Sequence, residues 1–151
     1  MKKSFLTLGI VLMLTQVSLA QEQQVEKRDL SNKEMQKQNK EIVKLASEEI
    51  SKTLPQTVDK YTVLKIVEGK DTTLVYTFEI NTGAKSDATV QKEDHSRMKQ
   101  AVTTGICHSA KRFIDAQIDI TYIYIAAKSK TELFRFEVTQ ADCFAAEKQK
   151  N

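Results

Sequence analysis

Residues 118–126 read IDITYIYIA and residues 132–138 read ELFRFEV. In the first stretch Ile118, Ile120, Tyr122, Tyr124 and Ala126 occupy alternate positions, and in the second Phe134, Phe136 and Val138 do the same. A period of two in large β-branched and aromatic residues is the pattern of a strand that buries one face. Lys128-Ser129-Lys130 separates the two stretches as a turn, so the pair predicts an antiparallel hairpin. A second hairpin is read upstream: Tyr61 to Val67 alternates, Glu68-Gly69-Lys70-Asp71 turns, and Thr73 to Ile80 sets Leu74, Tyr76, Phe78 and Ile80 on one face. Asn81-Thr82-Gly83 closes it.

Helical patterns surround the hairpins. Ser31 to Leu54 lacks glycine and proline and places Val43, Ala46, Ile50 and Leu54 on one stripe, with Ile42 and Leu45 beside it. Ser31 and Glu34 form a capping-box signature for its start, and Pro55 stops it. Val90 to Ile106 predicts a second helix with Met98, Ala101 and Val102 on its apolar side. Gly105 and Cys107 mark its end, and Ala110, Phe113 and Ile114 add a further turn or two. The order α-β-β-α-β-β predicts an α+β domain: a four-stranded antiparallel sheet with helices on one face. No internal repeat is visible.

The chain has 151 residues, 40% of them hydrophobic and 28% charged, which fits a packed domain and excludes a wholly disordered or collagen-like chain. Met1 to Ala20 is read as a secretory signal peptide: Lys2 and Lys3, an apolar run from Phe5 to Leu14, then Ser18-Leu19-Ala20 before a cut at Gln21. Residues 21–30 are read as a flexible leader, 31–143 as one α+β domain and 144–151 as a flexible tail. The signal predicts a periplasmic or secreted protein with no integral membrane segment after cleavage. The formal charge of +3 falls to about +1 once Lys2 and Lys3 are removed, so the basic pI says little about partners and nucleic acid is not expected.

Export gives the cysteines their meaning. Cys107 and Cys143 are the two in the chain, and an even count in an oxidising compartment favours one disulfide. The competing reading, Cys107 as a nucleophile beside His108, fails because adjacent helical residues do not face each other. His95 and His108 are not spaced as metal ligands on one helix face, and His95, with Glu93 and Asp94, reads as a solvated helix start. The sequence carries no phosphate-binding glycine loop and no G-x-S-x-G elbow. No catalytic, cofactor-binding or metal residue is assigned, no cofactor is expected, and the expectation is that the protein is not an enzyme.

One surface stands out. The sheet face opposite the aromatic rows would carry Val75, Thr77, Ile123, Ile125, Leu133 and Arg135, more apolar than a solvated face requires. Either the amino-terminal helix covers it or it is a surface for a partner or a second copy of the chain.

Leu54-Pro55 then Val58-Asp59, Leu74-Val75-Tyr76-Thr77-Phe78, a mid-chain Cys107, Tyr122-Ile123-Tyr124 and a terminal Asp142-Cys143 together resemble a group of small exported proteobacterial proteins. The nearest named family is the pilotin-like accessory proteins of type II secretion, and the resemblance covers about residues 42 to 143. It implies a non-enzymatic accessory role in the cell envelope with an envelope protein or peptide as partner. Pilotins are usually lipoproteins, and no cysteine follows Ala20, so a lipid tether does not carry over. The expected function is thus an exported binding or accessory protein, with an inhibitor of a cell-wall enzyme or protease as the alternative; Asn81 to Thr89 is its candidate loop.

Overall fold

The structure, a computed structural model, describes the backbone of residues 16–148 and the side chains of residues 31–148. Residues 1–15, the greater part of the signal-peptide reading, lie outside the described residues. The chain divides into two compact units, Met1–Gln36 and Lys37–Asn151. The first is described from Gln16 onward, and there it is helix; the packing below belongs to the second.

Helix α1 spans Gln16–Ser51. Its start lies well before Ser31, so Ser31 and Glu34 are interior helical positions rather than a capping box, and residues 21–30 are helical where a leader was expected. The absence of glycine and proline from this stretch lets the helix continue. Leu54-Pro55 is a cis peptide.

The sheet is five-stranded and mixed, which corrects the four-stranded antiparallel expectation. Its strands β1 (Gln56–Thr57), β2 (Thr62–Lys70), β3 (Thr73–Ile80), β4 (Asp119–Ala126) and β5 (Glu132–Val138) lie in chain order. Both expected hairpins form, but β3 and β4 pair in parallel, from Thr73↔Asp119 to Ile80↔Ala126. The reason is the connection: it contains α2 (Asp87–Gln91), α3 (Ser96–Ser109) and α4 (Lys111–Asp115) and returns the chain to the end from which β3 began. A strand, a helical crossover and a second strand give parallel neighbours. Helix α3 also runs through Gly105, where the sequence placed its end.

The carboxyl end holds a further helix, α5 (Gln140–Lys148), across residues expected to form a loose tail. Thr139 and Asp142 explain it. The Asp142 carboxylate accepts from the Thr139 backbone N–H at 2.8 Å and its hydroxyl at 2.7 Å, and the Asp142 N–H donates back to Thr139 Oγ1 at 3.3 Å. This reciprocal cap satisfies donors that a helix start leaves open.

The core lies between the sheet and the helices. Val43 of α1, Ile106 of α3, Ile114 of α4 and Cys143 of α5 pack with Leu74, Ile120 and Val138 of the sheet. A second group joins Leu64, Val67, Phe78, Tyr124 and Phe136, with Ile50 and Leu54 against it. Gly69 permits the closest approach: a Cβ there would lie 2.7 Å from Val43 Cγ1 and 3.2 Å from the Val43 carbonyl oxygen. Burial of aromatic and aliphatic side chains on this scale supplies most of the driving force for the fold.

Candidate functional site: the outer sheet face

Strand pairing arranges the other face of the sheet in rows. Glu68, Val75, Thr121 and Glu137 form one row, and Ile66, Thr77, Ile123 and Arg135 the next. Val63, Glu79, Ile125 and Glu132 form a third. The helices of residues 37–148 place their buried side chains in the clusters on the inward face, so none of them roofs these rows. The reading in which the amino-terminal helix covers this face does not hold for α1 from Lys37 onward, since Val43, Ala46 and Ile50 pack inward.

Of the predicted surface residues, five are brought together and one is not. Val75 and Thr121 are buried, 5% and 8% exposed, beside the longer Glu68 and Glu137, while Thr77, Ile123 and Ile125 are half-buried and Arg135 is exposed. Leu133 is the exception: it is buried on the inward face with Val90 and Ala126. The pairing register shifts between Tyr124↔Phe134 and Ile125↔Glu132, leaving Leu133 as the extra residue of a β-bulge and turning it inward beside Phe134. A second shift, between Leu64 and Ile66, turns Ile66 outward, where it is 47% exposed. Strict alternation conceals both shifts, and for that reason Ile66 was not found from sequence.

Ion pairs edge the rows. Lys70 lies 3.5 Å from Glu68, Lys130 lies 2.6 Å from Glu79, and the Arg135 guanidinium grips Glu132 through Nε at 2.7 Å and Nη2 at 2.6 Å. At the corner near α5, Asp119 is pushed above the ordinary carboxylate range, first by burial and then by the charges of Asp142 and Glu137.

The inward face carries a chain of rings instead. His95 stacks on Phe134 with centroids 3.9 Å apart, and Phe134, Tyr124, Phe78, Tyr122 and Tyr76 follow at centroid spacings of 4.8 to 5.2 Å. Burial, with a smaller contribution from Tyr122, pushes the hydroxyls of Tyr76 and Tyr124 up to about 12. These rings are core, and His95, at the start of α3 as expected, is half-buried against Phe134 rather than fully solvated. Among the described residues, no group of three or more His, Cys, Asp or Glu is placed to hold a metal ion.

Cys107 and Cys143 form a disulfide with Cα atoms 5.4 Å apart, tying α3 to α5. The loop from Asn81 is short and pinned: Asn81 Oδ1 accepts the Gly83 N–H at 3.0 Å, Ser86 caps α2, and from Asp87 the segment is helix. Among the described residues no helix is long and apolar enough to cross a membrane.

The α+β fold, with helices on one face of a five-stranded mixed sheet, is similar to that of a solved protein described as secreted and of two secretion-system pilotins. A Pseudomonas aeruginosa protein described as secreted matches at 10% identity and a TM-score of 0.64, over 72% of this chain and 96% of that one. EpsS, the type 2 secretion system pilotin of Vibrio vulnificus, matches at 15% identity and 0.60, over 73% and 96% of the two chains. AspS, the type II secretion system pilotin of Vibrio cholerae, matches at 15% and 0.60, over 75% and 99%. At these identities the likeness is one of fold. The chain belongs to the DUF8479 family, a domain of unknown function, whose model matches residues 22–134. No curated protein matches the sequence.

Proposed function

We propose that this chain is an exported, non-enzymatic binding or accessory protein of the cell envelope, associated with secretion machinery, and that it holds its partner on the outer sheet face. The observation that carries this reading is the strip of Ile66, Thr77, Ile123 and Ile125, which no helix of residues 37–148 covers. Ordinary surface leucines and isoleucines are scattered singly, whereas here they are contiguous on rigid strands. Two further facts support it: the fold likeness to two pilotins, and a disulfide, which persists in an oxidising compartment such as the periplasm.

The test is affinity capture from periplasmic extract with the mature protein and with Ile123→Asp, a half-buried position on the outer face. The expected result is a retained partner that Ile123→Asp loses while its melting curve stays close to that of the wild type. An empty capture, or the same set on both proteins, overturns the reading.

A further inference from the structure

We propose that the open edge of β5 pairs with the same edge of a second copy of the chain, joining two sheets into one ten-stranded sheet about a two-fold axis at Phe136. The two edges of the sheet are not alike. Along the β2 edge, β1 covers Val63 and Leu64, and beyond it come the register shift before Ile66 and the exposed Lys65 and Lys70. A covering strand, a bulge and edge lysines are devices that keep sheet edges from pairing. At β5 the protection stops early. Gln91 Nε2 donates to the Glu132 carbonyl at 2.8 Å, and the bulge lies at Leu133. From Phe134 to Val138 there is no lysine or proline, and among the described residues no further strand or side chain bonds the outer edge.

The hydrogen-bond phase fixes which groups are free there. Asp119 N–H donates to the Thr72 carbonyl at 3.0 Å and Ala127 N–H to the Ile80 carbonyl at 2.9 Å, so odd-numbered residues from Asp119 to Ala127 turn their peptide groups to β3. Even-numbered residues turn to β5, as the 2.9 Å bond from Ala126 N–H to the Thr131 carbonyl shows. Phe134, Phe136 and Val138 therefore exchange bonds with Tyr124, Tyr122 and Ile120. Arg135 and Glu137 turn their N–H and C=O groups away from the sheet, with their side chains on the outer face.

Within Phe134 to Val138, an antiparallel register that brings free donors to free acceptors sets these two residues opposite themselves or opposite each other. Charge chooses among the registers. Shifted one way, Arg135 meets Arg135 of the second copy; shifted the other way, Glu137 meets Glu137. Between them, with Phe136 opposite Phe136, Arg135 of each copy stands opposite Glu137 of the other. Each such pair exchanges both of its backbone hydrogen bonds and sets opposite charges side by side. Glu137 suits the role, since among the described residues no lysine or arginine lies within ion-pair distance of it in its own chain. Arg135 holds Glu132 through Nε and Nη2, which leaves Nη1 for the second copy. The axis stands normal to the sheet, so both outer faces lie on one side of the dimer and stay open.

The experiment follows the exported, oxidised protein by sedimentation equilibrium and by amide exchange at low and high concentration. The expected result is a monomer and dimer in equilibrium, with the Arg135 and Glu137 amides gaining protection as the dimer forms and the Phe136 amide protected in both states. Arg135→Glu and Glu137→Arg, both at exposed positions, should each weaken the dimer by about tenfold or more, because each sets like charges opposite one another at both symmetry-related pairs. Combining the two restores opposite charges and should recover most of the affinity, which a merely structural effect of either substitution would not do. A chain that stays monomeric at millimolar concentration overturns the proposal. So does a dimer in which the Arg135 and Glu137 amides gain no protection; its loss in Ile123→Asp would place that contact on the outer face instead. A double variant that associates no better than either single variant overturns the pairing of Arg135 with Glu137.

Discussion

Asn39 of α1 donates a hydrogen bond of 2.7 Å from Nδ2 to the backbone carbonyl of Ala116, at the end of α4, across 77 positions of chain. Asn39 is 4% exposed, a polar side chain on the inward stripe of α1, which it shares with Val43 and the buried Ser47. The carbonyl lies where α4 ends and the chain turns into β4, at Gln117 with its φ of 62°. Replacing Asn39 with Leu removes the donor and leaves that carbonyl short of a partner, a cost of about 1–3 kcal/mol. Chemical denaturation is expected to show a lower midpoint with an unchanged slope, and faster amide exchange around Gln117 would place the loss there.

Gly69 is held at a point of contact with α1. A Cβ there meets the Val43 carbonyl oxygen, which belongs to the helix backbone and cannot rotate away, as well as Val43 Cγ1. Gly69→Ala is therefore expected to destabilise by about 1–3 kcal/mol, the usual range for overpacking. Gly105→Ala supplies the contrast: nothing lies within 4 Å of its Cβ and it sits inside α3, so it should stabilise by about 0.5–1 kcal/mol through helix propensity. Paired melting curves of the two variants check both signs.

The strands were legible because their side chains alternate without ambiguity: Leu74, Tyr76, Phe78 and Ile80, and Ile120, Tyr122, Tyr124 and Ala126, all face inward as read. Parallel pairing of β3 with β4 was implicit in the helical connection between them, but periodicity within a strand carries no information about its direction. Leu133 was misplaced for a related reason, since a bulge changes the face of a residue without changing its type. Helix α5 did leave a signal in Thr139 and Asp142, at the spacing of a capping box, and the polar residues after Cys143 obscured it. In the outer face, Val75, Thr77, Ile123 and Ile125 could be read from alternation, whereas the contribution of Ile66 depended on the register shift next to Lys65.

The Cys107–Cys143 bond closes a loop across 36 positions, and in the chain-entropy model a loop of that length is worth about 4 kcal/mol. It fastens α5, whose Cys143 side chain is part of the core beside Ile106 and Val138. Cys107→Ser with Cys143→Ser is expected to lower the melting temperature by well over ten degrees, since about 1 kcal/mol moves a domain of this size by about 4 °C or more. The loss should appear first as amide exchange in α5. Alkylation of the native exported protein followed by mass measurement should find no reactive thiol, and two labelled thiols would contradict the bond.

Two aspartates at the α5 corner should respond to pH with opposite signs. Hydrogen bonds from the Thr139 hydroxyl and, to a lesser degree, its backbone N–H hold the Asp142 carboxyl below the ordinary range, while burial and the nearby charges of Asp142 and Glu137 hold Asp119 above it. A carboxyl whose folded pKa lies below its unfolded value of about 3.9 stabilises at neutral pH, and that contribution is lost as pH falls from there through the folded value. Asp142→Ala is thus expected to cost about 1 kcal/mol at pH 7, as the loss of a helix cap does, with the difference from wild type closing in acid. For Asp119 the sign reverses: the folded protein holds the proton more tightly, so ionisation destabilises it at neutral pH and acid relieves the penalty. Asp119→Asn should melt higher than wild type at pH 7, with the advantage shrinking as pH falls through the raised Asp119 pKa. Melting curves from pH 3 to pH 8 measure both, and a gain for Asp119→Asn that did not vary with pH would remove carboxylate ionisation as its cause.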